Sequence, residues 1–284
     1  MKAKDILTEI IENKRFEVDF QKHSIPLETL QEQAESLNLA AAPRRSVREA
    51  LSGSGNSSGC SGSLPKPGRP ASGPGIIAEF KRRSPSKGWI KQDARIEDII
   101  PAYKEAGASA LSVLTDEKFF GGTLRDLRVA RSLVDIPILR KDFMIDEYQL
   151  YQAKIVGADA ILLIAAALEQ EQCRELTEKA HQLGLEVLLE IHGEAELAYI
   201  TPEVDMVGIN NRNLGTFHTT VDNSFRLAEL LPKDTLLVSE SGISNPDTVK
   251  QLQQHGFRGF LIGETFMKTA NPGETLADFI HQLK

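Results

Sequence analysis

IPILRKDFMIDEYQLYQAKIVGADAILLI, residues 136–164, sets the pattern for most of the chain. Two short apolar runs, 136–141 and 158–164, bracket a stretch at 147–156 whose apolar residues recur at helical spacing. Short apolar runs of this length fit buried strands, and a helix between two strands lets them lie parallel. The same texture extends in both directions. GIIAEF (75–80), SALSVL (109–114), LEVLLEI (185–191), VDMVGIN (204–210), TLLVSES (235–241) and GFLIGE (259–264) are further apolar runs, and 168–182 and 246–254 again have helical spacing. Alternating strands and helices imply a parallel sheet. Eight such units predict closure into a (β/α)8 TIM barrel, with an open flavodoxin-like or Rossmann sheet as the alternative. The 284-residue length suits a barrel, which commonly needs about 250 residues.

Upstream of the barrel, Ile6, Leu7, Ile10, Ile11 and Val18 share one face of an amphipathic helix expected over 4–21. Ser46-Val47-Arg48-Glu49, followed by Ala50 and Leu51, is a capping-box pattern and predicts a second, short helix. GSGNSSGCSGSLPKPGRPASGPG (53–75) is too rich in Gly, Ser and Pro to bury a core and is expected to be a flexible connector. Its glycines do not fit GxGxxG and no strand precedes them, which argues against a dinucleotide loop. The expected organisation is one domain over 1–284: N-terminal extra helices (1–52), the connector (53–75) and the barrel (76–284), ending in a helix at 273–283. A net charge of −7 argues against a nucleic-acid or acidic-membrane surface, although a few local cations suffice for an anionic small ligand. The N-terminus lacks the apolar core of a signal peptide, and no run of about 18 apolar residues follows. Cys60 and Cys173 have neither metal-ligand spacing nor a disulfide framework, so a cytoplasmic setting and no metal are expected.

In a barrel the active site is built where strands end. Here the first strand ends in Glu79 and Lys81, two apart and so on one face, the third in Lys141, the fifth in Glu190, the sixth in Asn210 and the seventh in Glu240. Ile77, Leu139, Leu188 and Val238, at the same parity, are expected to fill the layer beneath. Any one of these polar residues suits a solvated strand end. Six of both signs at matching positions point to a catalytic set, with pKa values displaced toward working pH. Ser241-Gly242 and Gly263-Glu264 follow the last two strands, where barrels often bind phosphate through backbone N–H groups. Glycines that merely end strands are the plainer reading, and the Glu264 carboxylate must point away for such a site to work. The loop KRRSPSKGWI brings Lys81 and Ser84 within reach of an anionic ligand, while Arg82, Arg83 and Lys87 taken singly suit a solvated loop. Phe120, Phe143 and Leu162 suit either ordinary core or the wall of an apolar ring pocket.

IIAEFKRRSPSKG, LTDEKFFGG, ILRKDF, DAILLI, LLEI, GINNRNL, SESGI and FLIGE follow one another in this chain. In that order and spacing, residues 76–265 resemble the indole-3-glycerol phosphate synthases. Phosphoribosylanthranilate isomerases, related in fold and pathway, do not share the first and third of these motifs. The resemblance implies a step of tryptophan biosynthesis: 1-(2-carboxyphenylamino)-1-deoxyribulose 5-phosphate becomes indole-3-glycerol phosphate with loss of CO2 and water. No cofactor is implied and no obligate protein partner. By motif, Lys141 corresponds to the general acid that protonates the ketone oxygen, and Glu190 to the partner in proton transfer during dehydration. Lys81 corresponds to a lysine that contacts the anionic groups and supplies a second proton. Glu79 and Asn210 correspond to residues that order the cationic intermediate and the hydroxyls. Ser84 matches a carboxylate contact, and Arg212 and Glu240 match the hydrophilic side of the pocket. Ser241, Gly242, Gly263 and Glu264 correspond to the phosphate site, and Pro85, Phe120, Phe143, Leu162 and Leu214 to the ring pocket. The residues themselves leave open whether Glu190 or Glu79 moves the proton.

Two departures stand out. Many members carry an aromatic residue at the position of Val47, where it is expected to cover the substrate, and the connector 53–75 looks longer than usual. The chain is also expected to lack the isomerase barrel that some bacterial members carry in fusion. Two other functions remain open on sequence: a Schiff-base aldolase using Lys141, which borohydride trapping separates, and a barrel that only binds a phosphorylated ligand.

Overall fold

The structure, a computed structural model, describes residues 6–39, 45–53, 73–213, 215 and 217–284. Most of the connector (54–72) and Leu214 lie outside the described residues, and so do the expectations placed on them.

Eight parallel strands close into a barrel, which excludes the open sheet. They are β1 Gly75–Phe80, β2 Ala110–Leu114, β3 Ile138–Lys141, β4 Ala160–Ile164, β5 Glu186–Ile191, β6 Met206–Asn210, β7 Leu237–Glu240 and β8 Phe257–Ile262. Closure is made by β1, which pairs with β2 on one side and with β8 on the other. Every strand is buried on both faces apart from the exposed Arg258 and the half-buried Lys141, so these runs read as continuous apolar stretches. Several strands begin one or two residues later than the apolar runs suggest. Asp159 and Asp205 stand in the loops before β4 and β6, where their carboxylates accept the N–H groups of Ile138 and Val187 at 2.8 and 2.9 Å. The last strand departs the other way, beginning at Phe257 rather than Gly259. Gly259 lies inside the strand, where a Cβ would press on Leu51 and Val238.

The strands separate two cores. Inside the barrel lie Ile77, Leu139, Leu188 and Val238, the four residues expected beneath the polar set, packed with Leu162 and Met206. A larger shell fills the space between strands and surrounding helices.

Three helices precede β1: α1 Ile6–Ser24, α2 Leu27–Leu39 and α3 Val47–Ser52. The sequence reading missed α2, although Leu30 and Ala34 are its buried stripe. Ser46 caps α3 by accepting the Glu49 N–H at 2.9 Å, as its pattern predicts. The N-terminus of α3 faces the Glu186 carboxylate at the start of β5. That carboxylate accepts the Ser46 hydroxyl and the N–H groups of Val47 and Arg48, the last two at 2.7 and 3.1 Å. Leu51 then packs over Gly75 and Gly259. Thus α3 seals the N-terminal end of the barrel, opposite the ends of the strands that carry the polar set. The expectation that this position faces the substrate, with Val47 covering it less than an aromatic residue would, is therefore corrected: the Val47 side chain is buried in the barrel floor.

It is α1 that lies over the C-terminal end. Lys14 is fully buried there, with Nζ 2.9 Å from Asp142, 3.0 Å from Asp116 and 3.0 Å from Glu17. Asp142 follows β3 and is also held by Arg140 and Thr115. Among the described residues, no helix is long and apolar enough to cross a membrane.

Candidate active site

A cavity of about 660 Å³ opens at the C-terminal end of the barrel. It is lined by every residue assigned above to the catalytic set, the substrate contacts or the phosphate site except Leu214, which lies outside the described residues.

Period-two alternation carries the polar side chains of five strands inward at one level. Lys141 stands at the centre, its Nζ 2.9 Å from Glu190 Oε2 and 3.3 Å from Glu240 Oε2. Lys81 pairs separately with Glu79 at 2.6 Å. Asn210 donates to Glu190 Oε1 at 3.0 Å and accepts the Arg212 N–H at 3.0 Å. Glycines make room for these carboxylates: a Cβ at Gly208 would run into Glu240 Oε1, and one at Gly263 into Glu79 Oε1.

The electrostatics overturn one expectation. Burial works against the Lys141 charge, but Glu190, Glu240 and Glu79 outweigh it and hold the ammonium above the ordinary lysine value. For Glu190, burial is outweighed by Lys141, with help from His192 and Asn210, and its carboxyl is held below the usual range. Both move away from working pH, because opposite charges about 3 Å apart inside a barrel defeat desolvation. The group displaced toward neutrality is Glu240, pushed up to about 8 by burial and by its neighbours Glu190 and Glu79 against the pull of Lys141.

On one side of the polar set Phe120 and Phe143 meet with ring centroids 5.9 Å apart, and Leu162, Pro85 and α1 residues Ile6, Leu7 and Ile10 continue the apolar wall. Sequence reading placed the α1 residues on one helical face without assigning them to a pocket. On the other side lie Ser241-Gly242 and Gly263-Glu264. Ser241 and Gly242 both have positive φ, 67° and 74°, and a Cβ at Gly242 would press on Thr219. The Glu264 carboxylate is drawn sideways toward Arg212 at 3.4 Å and Lys87 at 3.8 Å, which answers the objection to backbone binding there. Lys268, exposed one helical turn on, is a cation at this end that the sequence reading missed.

Two short strands, Arg83–Ser84 and Gly88–Trp89, make a hairpin of the loop after β1. Ser84 is buried within it, and Ser86 accepts from Arg212 at 3.0 Å. Arg82 is neither solvated nor turned to the cavity. Its guanidinium grips Asp126 through two bonds of 2.8 and 2.9 Å and also donates to the carbonyls of Ala94 and Gly121. Among the described residues, no group of three or more His, Cys, Asp or Glu has the arrangement of a metal site.

The model of the indole-3-glycerol phosphate synthase family matches residues 7–279. The chain belongs to that family. An indole-3-glycerol phosphate synthase of Bacteroides thetaiotaomicron is 65% identical over 281 residues, covering 99% of this chain and all of the relative. One from Neisseria meningitidis serogroup B is 45% identical over 268 residues, covering 93% and 95% of the two chains. Among solved structures, a mutant tryptophan synthase α-subunit of Pyrococcus furiosus superposes with a TM-score of 0.55 at 15% identity, covering 74% of this chain and 97% of its own. The thiamine phosphate pyrophosphorylase of the same organism gives 0.54 at 16%, covering 74% and 96%. At such identities these likenesses speak for the barrel alone.

Proposed function

We propose that this barrel mouth closes the indole ring of 1-(2-carboxyphenylamino)-1-deoxyribulose 5-phosphate, with Lys141 as the proton donor. The observation that carries the reading is the position of Lys141, a half-buried cation facing both the apolar wall and the carboxylates of Glu190 and Glu240. The aromatic ring sits against Phe120, Phe143, Leu162 and Pro85, with Leu214 assigned there from the family motif. The phosphate sits on the backbone of Ser241, Gly242, Gly263 and Glu264. Held at both ends, the substrate is folded so that the ring carbon bearing the carboxylate meets the ketone carbon. Such positioning contributes several kcal/mol to a slow carbon–carbon bond formation.

As that bond forms, the ketone oxygen takes the Lys141 proton. The raised pKa of Lys141 is no obstacle, because a developing alkoxide is a far stronger base than an amine. The carboxylate, held near Ser84, leaves as CO2 and restores the aromatic ring. The new hydroxyl then leaves as water with a proton from Lys81, and Glu190 takes up the proton the ring gives away. Glu79, paired with Lys81, and Asn210 order the cationic intermediate and the hydroxyls, while Arg212 and Glu240 form the hydrophilic wall. Of the two candidates for the base we favour Glu190, because the lysine it meets is Lys141, the proposed donor to the ketone oxygen, while Glu79 meets Lys81. We also read the N-terminal helices and barrel as one domain, supported by the buried Lys14 contacts, and the setting as cytoplasmic, supported by the free thiol of Cys173.

Adding the carboxyphenylamino sugar phosphate to the purified protein should produce indole fluorescence with release of CO2. Borohydride added with the substrate should trap no imine. Absence of fluorescence, or a trapped Lys141 adduct, would contradict the reading.

A further inference from the structure

Two glutamates face Lys141, and a base is useful only if it lacks a proton. Glu190 and Glu240 are both buried, their carboxylates lie 2.9 and 3.3 Å from the same ammonium, and each raises the cost of charging the other. Their other oxygens differ. Glu240 Oε1 is closed off from solvent and has no hydrogen-bond partner. Glu190 Oε1 receives Asn210 Nδ2 at 3.0 Å and lies 3.2 Å from His192 Nε2.

His192 follows β5 and stands behind Glu190, outside the cavity lining. Both of its ring nitrogens are closed off from solvent without an aligned hydrogen bond, so the contact with Glu190 is electrostatic. Among the described residues, the other charged group against the ring is Glu196 of the next turn, Glu194–Tyr199, with Oε2 3.7 Å from Nδ1. From the helix Asp222–Ala228, Asn223 donates to the His192 carbonyl at 3.1 Å and fixes its backbone. An imidazole enclosed between two carboxylates gains from carrying a proton.

We infer that His192 is a positioning residue for the reaction: its imidazolium, set behind Glu190, makes Glu190 the unprotonated member of the pair and leaves the shared proton on Glu240. The inference rests on the role proposed above for Glu190. Burial alone would lower the His192 pKa, but Glu190 and Glu196 outweigh it and raise it, and a carboxylate at 3.2 Å on one side and 3.7 Å on the other favours the cationic ring. The effect on Glu190 has a definite sign. A cation beside it lowers its pKa, so removing that cation raises the pKa and moves the acid limb of the pH–rate profile upward.

The test is the kcat–pH profile of full-length His192→Asn, a neutral residue that still donates a hydrogen bond, with His192→Gln as the second variant. The expected result is an acid limb moved up by at least one pH unit. Turnover should fall tenfold or more on the acid side of the wild-type limb, and most of it should return as pH rises to neutrality and above. An unmoved limb, whether turnover is unchanged or uniformly reduced, would overturn the inference, because lost packing lowers rate without moving a limb. Glu190→Gln separates this failure from that of the underlying reading. If Glu190→Gln turns over normally, Glu190 is not the base and the proposed function fails at that residue. If Glu190→Gln is inactive and the His192→Asn limb stays in place, only the inference about His192 fails.

Discussion

Lys141, Glu190 and Glu240 show how far the chemistry of a residue depends on distances no sequence contains. Strand parity sufficed to place their side chains at one level inside a barrel. The direction in which each titrates did not follow, because it is set by neighbours from β3, β5, β6 and β7 brought within about 3 Å of one another. Glu240 gives the clearest consequence. Its folded pKa, about 8, lies above the ordinary 4.5, so the folded state holds a proton that the unfolded chain has lost. That contribution to stability is fully present below pH 4.5 and declines as pH rises toward 8. Glu240→Gln keeps a neutral group of the same size and removes the decline. Its melting temperature relative to wild type should therefore rise between pH 5 and pH 8, each tenfold displacement of the acid constant being worth about 1.4 kcal/mol. A difference that stays flat across this range would show Glu240 to be an ordinary carboxylate.

At the scale of elements, the apolar stripe of α1 was legible, but the stripe gave Lys14 in that helix no role. In the structure it is the buried link from α1 to the loops after β2 and β3. Replacing Lys14 by Met leaves Asp116 and Asp142 buried with less compensation, although Arg140 still serves Asp142. Breaking a buried pair in this way costs about 3–5 kcal/mol. We expect Lys14→Met to lower the urea midpoint and to raise KM more than it lowers kcat, since Ile6, Leu7 and Ile10 lose their fixed place on the cavity wall. A variant with unchanged midpoint and KM would refute this coupling. The site before the helix Glu264–Met267 has a different vulnerability. Gly263→Ala would push the Glu79 carboxylate away from Lys81, and a turnover loss of more than tenfold is expected in a steady-state assay with little change in melting temperature.

Over the whole molecule, the candidate site occupies one end of the barrel and α3 closes the other. Glu186 belongs to the floor, where it accepts the leading N–H groups of α3. Glu186→Ala should cost about 1–3 kcal/mol for each buried donor left without an acceptor, seen as a lower melting temperature with KM and kcat unchanged. The barrel was legible because eight buried parallel strands produce eight apolar runs. Two contributions were not: α2, whose weak stripe is interrupted by polar residues, and the end of the barrel that α3 would close, which depends on Glu186 and two inward glycines far away in sequence. At the other end, the account turns on Lys141 as the proton donor in ring closure. The measurement that tests it most directly is single-turnover formation of indole fluorescence by Lys141→Met. The predicted result is a rate lower by about 10²–10⁴-fold or more, with melting temperature and product-analogue affinity close to those of the wild type. A rate near that of the wild type would contradict it.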